Sequence, residues 1–189
     1  AIEASPTDIA TLWDYASFLS EQRRFEEALR HYQAALAQEK DPQDQASLLN
    51  NIAGVQADLY QYDEALRTHA EAEKRYRQVM AAEPQNLVVR FQLARSLTNQ
   101  GISLEETYRY EAALDKYQAA HELYVNHDLK AAPQFFLEGI ASLGLLAGGY
   151  ANLGQDEKAL DLFAQAEKYL LQYQQTIGEA EAELSGHFS

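Results

Sequence analysis

The stretch "RRFEEALRHYQAAL", Arg23 to Leu36, decides how the chain is read. It places Ala28, Leu29, Tyr32 and Ala35 at offsets of zero, one, four and seven. Offsets of four and seven put the alanines and the ring on one face of a helix. The same set returns three times: Ala65, Leu66, His69, Ala72; Ala113, Leu114, Tyr117, Ala120; and Ala159, Leu160, Phe163, Ala166. Three residues before the first alanine stand Phe25, Tyr62 and Tyr110, and the fourth copy has Asp156 there. One amphipathic helix is therefore one member of a repeated set.

A second periodic set lies upstream of each copy. Leu12, Tyr15, Ala16 and Leu19 precede the first; Leu49, Ile52, Ala53 and Gln56 the second. Leu97, Gln100, Gly101 and Leu104 precede the third; Leu143, Leu146, Ala147 and Tyr150 the fourth. Ala16, Ala53, Gly101 and Ala147 share one position, and a small residue there lets a second helix approach closely. The unit is helix, short turn, helix. Eight helices are predicted, over 7–21, 24–40, 43–60, 62–82, 86–107, 110–128, 132–153 and 156–180.

Four copies in register over roughly Ile9 to Thr176 resemble the tetratricopeptide repeat family, most clearly in "ASLLNNIAGVQADLYQYDEALRTHAEAE" and "LGLLAGGYANLGQDEKALDLFAQAE". The resemblance implies an all-α, right-handed superhelical solenoid of four antiparallel hairpins, a single domain over residues 1–189. The anchor alanines are separated by 37, 48 and 46 residues, against a usual period of about 34. "EKRYRQVMAAEP" and "HELYVNHDLKAAP" read as helices continuing past the anchor until Pro84 and Pro133. Long helices with "LLNNIA" in the first of a pair look like the kinesin-light-chain style of repeat.

Composition limits the function. The 189 residues carry a formal net charge of -14 and no cysteine. Such a surface repels phosphate, so no nucleic-acid or anionic-membrane partner is expected. Disulfides, thiolate metal sites and cysteine nucleophiles are excluded. No apolar run reaches the roughly 18 residues of a membrane helix, and "AIEASPTDIATLW" lacks the build of a signal peptide. A cytoplasmic chain is expected. With no initiator Met, the chain is either processed or a piece of a longer protein; its entry into helical material almost at once favours a piece, and the style of repeat points to a bacterial signalling or scaffold protein.

No catalytic chemistry is expected. "HELYVNH" separates His121 and His127 by six, where a zinc helix needs four, so both read as solvent-facing. His69 reads as a packed core histidine with one satisfied nitrogen. The carboxylates read as solvated, with no His or Lys placed to tune them. Gly154 falls at a turn where a left-handed residue is useful. Gly144 and Gly148 admit either a neighbouring helix or a ligand backbone. Tyr60, Tyr76, Tyr108, Tyr124, Tyr169 and Tyr173 fit no repeat-core position and either pack on the lengthened helix ends or mark a contact surface.

The resemblance places binding on the concave side, lined by the first helix of each pair. Register puts Trp13, Asn50, Asn51, Arg95, Asn99, Gly148 and Asn152 there. An asparagine amide both donates and accepts, so it can pair with any extended main chain. Kinesin-light-chain-like repeats use asparagines this way, and Asn50, Asn51 and Asn99 match those positions. The alternative is that they bond neighbouring helices. Trp13 is either a ligand contact or a seam to a preceding repeat. The two-lysine clamp of chaperone adaptors is absent. A peptide or protein partner is expected, with no cofactor and no metal. A structural assembly segment and the regulatory arm of an enzyme are the alternatives.

Overall fold

Helix starts follow local capping chemistry. The Asp8 carboxylate accepts from the Thr11 N–H at 2.9 Å, Asp41 accepts from Gln43 and Asp44 ahead of Pro42, and Asn86 accepts from Val89 at 3.2 Å. Each bond satisfies a donor that the first turn of a helix leaves unpaired. The structure is a computed structural model that describes residues 8–125 and 135–186. Eight α-helices and no strand occur among the described residues: α1 Ile9–Glu21, α2 Phe25–Leu36, α3 Pro42–Asp58, α4 Tyr62–Ala82, α5 Leu87–Glu106, α6 Tyr110–Val125, α7 Phe136–Asn152 and α8 Asp156–Gly186.

The predicted starts and ends hold to within four residues, except that α8 runs six residues past the expected end, to Gly186. The largest trimming is at α2, which stops at Leu36 because the Glu39 carboxylate takes the Lys40 and Asp41 N–H groups and turns the chain into the α3 cap. The lengthened helix is α4, which runs to Ala82, two residues short of Pro84. His127 and Pro133, both used in the sequence reading, lie outside the described residues.

The four turns inside the pairs are copies of one another. Arg23, Tyr60, Tyr108 and Gly154 all have φ between 58° and 68°. The next N–H in each closes onto a carbonyl five residues back: Arg24 to Leu19, Gln61 to Gln56, Arg109 to Leu104 and Gln155 to Tyr150, at 2.8–3.0 Å. This is the Schellman ending. Only Gly154 adopts it without a Cβ penalty. Tyr60 and Tyr108 hold it while 79% exposed, each edge-on to Tyr62 or Tyr110.

Two compact units form. The first, residues 1–120, holds α1 to α5 and most of α6; the second, 121–189, holds the end of α6, α7 and α8. In the first unit α1 packs on α2, α2 on α3, α3 on α4, α4 on α5, and α3 also touches α5. Ala16, Ala28, Ala35, Ala53, Ala65, Ala72, Ala113 and Ala120 are buried as the register requires. In the second unit α7 packs on α8; Ala147 and Ala159 are buried, whereas Phe163 remains 48% exposed.

Gly101 makes the tightest approach. A Cβ there would overlap the Tyr117 ring, and Tyr117 is fixed by burial and by a 2.6 Å hydrogen bond from its hydroxyl to Glu105. His69 takes the same place in the second pair. It is fully buried, and neither ring nitrogen has a partner, where one was expected to be satisfied. The ring substitutes for Tyr or Phe by shape alone. Burial, and then the Lys116 ammonium, push its pKa down to about 4. Beside it a polar tie joins three helices: Glu73 on α4 accepts from Lys116 of α6 at 2.9 Å and Gln100 of α5 at 3.1 Å, and from Arg77 on its own helix. Burial alone would raise the Glu73 carboxyl; these bonds outweigh it and hold it below the usual range. So one carboxylate does sit with a tuning lysine, contrary to the sequence reading, in a structural role.

Two stability predictions follow from this packing. Gly101→Ala destabilises by about 1–3 kcal/mol through overpacking, whereas Gly54→Ala on α3, where a Cβ meets nothing within 4 Å, stabilises by about 0.5–1 kcal/mol. Urea melts of both variants check the opposite signs. For His69, the unfolded imidazole takes a proton near pH 6.5 that the folded one refuses until about 4. Its contribution is complete above pH 6.5 and drains as pH falls through that window, by about 3 kcal/mol. His69→Phe should flatten that part of the stability–pH curve; unchanged slopes would contradict the assignment.

Candidate functional site: a polar cavity across three helices

Helical spacing assembles the site. Ser47, Asn50 and Asn51 share one face of α3, and Gln92 and Arg95 share one face of α5. With Trp13 of α1 and Tyr76 of α4 they line a cavity of about 180 Å³ in the first unit. Ser47 anchors its floor. Its hydroxyl donates to the Gln43 carbonyl and accepts from the Tyr76 hydroxyl and from Gln92 Nε2, each at 3.1 Å. Tyr76 is buried, and burial raises its pKa, so the phenol keeps the proton it gives to Ser47. The lengthened α4 brings Tyr76 here, one step beyond the ordinary repeat positions.

Two acceptors are left over. Asn50 Oδ1 and Gln92 Oε1 are buried with no hydrogen-bond donor among the described residues. Asn51 likewise makes no side-chain bond there, so neither Asn50 nor Asn51 is tied to a neighbouring helix. Arg95 is exposed and forms no ion pair among the described residues. The cavity thus offers a half-buried indole, amides with unused capacity and one cation.

Four of the seven residues chosen from the sequence therefore meet: Trp13, Asn50, Asn51 and Arg95. Asn99 lies half-buried one turn beyond Arg95 on α5 and does not line the cavity. Gly148 and Asn152 lie on α7 in the second unit. A Cβ at Gly144 or Gly148 would meet nothing within 4 Å, so neither glycine admits a close helix. Tyr76 and Gln92 were missed as site residues. The signal for Tyr76 was present, since it was one of the tyrosines no repeat position explained. His121, expected in solvent, is half-buried; its Nδ1 lies 2.8 Å from Ser142 Oγ, and Ser142 donates to the Gly139 carbonyl at 2.7 Å. The His121 ring therefore donates to Ser142, and burial lowers its pKa. No cluster of His, Asp and Glu able to hold a metal occurs among the described residues.

The family profile described as "Tetratricopeptide repeat" matches residues 16–46, from the middle of α1 through α2 into α3. Over those residues the chain matches the tetratricopeptide repeat. Its repeats match solved structures along most of their length. BtubC (BKLC) from P. vanneervenii is 18% identical, with 90% of this chain and 67% of that chain covered and a TM-score of 0.74. A putative kinesin light chain of Podosopora anserina, described as having nearly identical TPR-like repeats, is 17% identical over 92% of this chain and 81% of that one, TM-score 0.64. A Rap protein complexed with competence and sporulation factor is 17% identical over 88% of this chain and 44% of that one, TM-score 0.62. Identities this low carry the tetratricopeptide fold alone. No curated protein matches the chain. No described helix is long and apolar enough to cross a membrane.

Proposed function

We propose that this tetratricopeptide module is a non-enzymatic, cytoplasmic protein-interaction segment that binds an extended peptide or partner segment along α1, α3 and α5 of its first unit. The observation that carries the reading is the cavity in which Trp13, Asn50, Asn51 and Arg95 converge while the asparagine amides bond to nothing else described. A folded chain gains nothing from leaving such groups unpaired, whereas a passing main chain supplies both donors and acceptors. Asn99 extends the row along α5, and Arg95 holds an acidic side chain of the ligand. Gly148 and Asn152 occupy the corresponding register on α7 of the second unit. The Rap structure, solved with a bound factor, lends the reading support by likeness of fold.

One observation favours a second reading, a structural segment that packs on further repeats or domains. On α8, Leu160 is 67% and Leu171 61% exposed, and Phe163 and Leu170 are also exposed. An apolar stripe of that length suits a packing partner.

The test is a titration of the full chain with a peptide recovered from a display screen. Asn51→Ala combined with Asn99→Ala should weaken binding by roughly 1–3 kcal/mol, or about 5- to 150-fold, as two lost hydrogen bonds. Arg95→Ala should add a loss that shrinks as salt rises. Melting temperatures should barely move. Large stability losses with unchanged affinity would instead make the asparagines structural.

A further inference from the structure

We propose that the cavity is a subsite for one primary-amide side chain, Asn or Gln, of the bound segment; this rests on the peptide-groove reading above. The argument starts at Ser47 Oγ. A hydroxyl has one proton and two lone pairs. The proton goes to the Gln43 carbonyl, and the lone pairs take Tyr76 and Gln92. With no proton left on Ser47, Gln92 must present its NH2 group there. Its Oε1 then faces away, buried and without a donor. Asn50 Oδ1 is in the same condition, on the opposite helix of the same cavity. The occupant must therefore bring at least two donors to one small space.

Each competing side chain fails on a stated count. A carboxylate brings no donor and would face two acceptor oxygens; its place is the exposed Arg95. An ammonium or guanidinium brings donors, but among the described residues that line the cavity Arg95 is the one charged group and none is a carboxylate, so a second cation would be desolvated beside a like charge. A hydroxyl brings one donor for two acceptors. An aliphatic chain leaves both oxygens buried and unpaired. The NH2 of a primary amide supplies two donors without charge. Its carbonyl can accept from Asn51 or Arg95. The volume of about 180 Å³ suits one such side chain, whose CH2 stem packs on the Trp13 indole.

Trp13 is the single tryptophan of the chain, so its fluorescence reports the cavity directly. The probes are the N-acetyl methylamides of glutamine, glutamate, lysine and norleucine, titrated into the full chain at millimolar concentrations. The glutamine probe should give a saturable change and bind at least about 5-fold more tightly than the others. Asn50→Leu should weaken it by about 2- to 12-fold, the worth of one hydrogen bond. Asn50→Asp should move the preference to the lysine probe. Thermal melts confirm that both variants fold. If the glutamate probe binds best, the amide subsite is wrong while the groove reading with Arg95 stands. Tightest binding by lysine or norleucine, no response to any probe, or equal glutamine binding by wild type and Asn50→Leu would each overturn the subsite. The display-peptide titration decides the groove reading separately.

Discussion

The close approach of two paired helices, a small residue against a ring, is the contact on which the rest depends. Its clearest instance is Gly101 under Tyr117, where not even one methyl group fits. By register Ala16, Ala53 and Ala147 hold the same position in their pairs, as Tyr32, His69 and Phe163 hold that of Tyr117. With the pair closed this tightly, the turn between its helices has little freedom. Four turns adopt the same left-handed residue and the same hydrogen bond, although three of those residues carry a Cβ that resists it. Packing overrides local preference there, and a mild backbone strain is held by the pair around it.

The site is a consequence of the departure from the ordinary repeat length. In a shorter unit α4 would end near its anchor alanines. Here it continues for about three more turns, and Tyr76 on the added length reaches under α3 to hold Ser47. Ser47 in turn holds Gln92 of the next pair. The cavity is thus shaped by a chain of three side chains from three helices, and its amides are left with capacity that the fold does not use. The polar tie of Glu73, Lys116 and Gln100 lies elsewhere in the unit and is satisfied, which is why it reads as structure.

Much of this was legible in the sequence, for a physical reason: helix-face periodicity survives in residue order. Ala28, Ala65, Ala113 and Ala159 located all four pairs, and Asn50, Asn51 and Arg95 fell on the expected face because register along a helix is rigid. What escaped depends on contacts between distant positions. Gln92 lies 45 residues from Ser47 and looks like an ordinary surface polar residue until α3 and α5 meet. The unsatisfied nitrogens of His69 and the bond from His121 to Ser142 are likewise invisible without the facing helix. The left-handed Tyr60 and Tyr108 ran against residue preference, so only Gly154 among the turns announced itself.

The central claim is that the faces of α1, α3 and α5 form a groove that reads an extended ligand through asparagine amides. A co-crystal structure of the full chain with a display-recovered peptide tests it most directly. The account predicts peptide main-chain atoms at hydrogen-bond distance, about 2.7–3.2 Å, from the side-chain amides of Asn50 and Asn51. A peptide seated instead on the outer helices α2, α4 and α6, with the cavity beside Trp13 untouched, would contradict it.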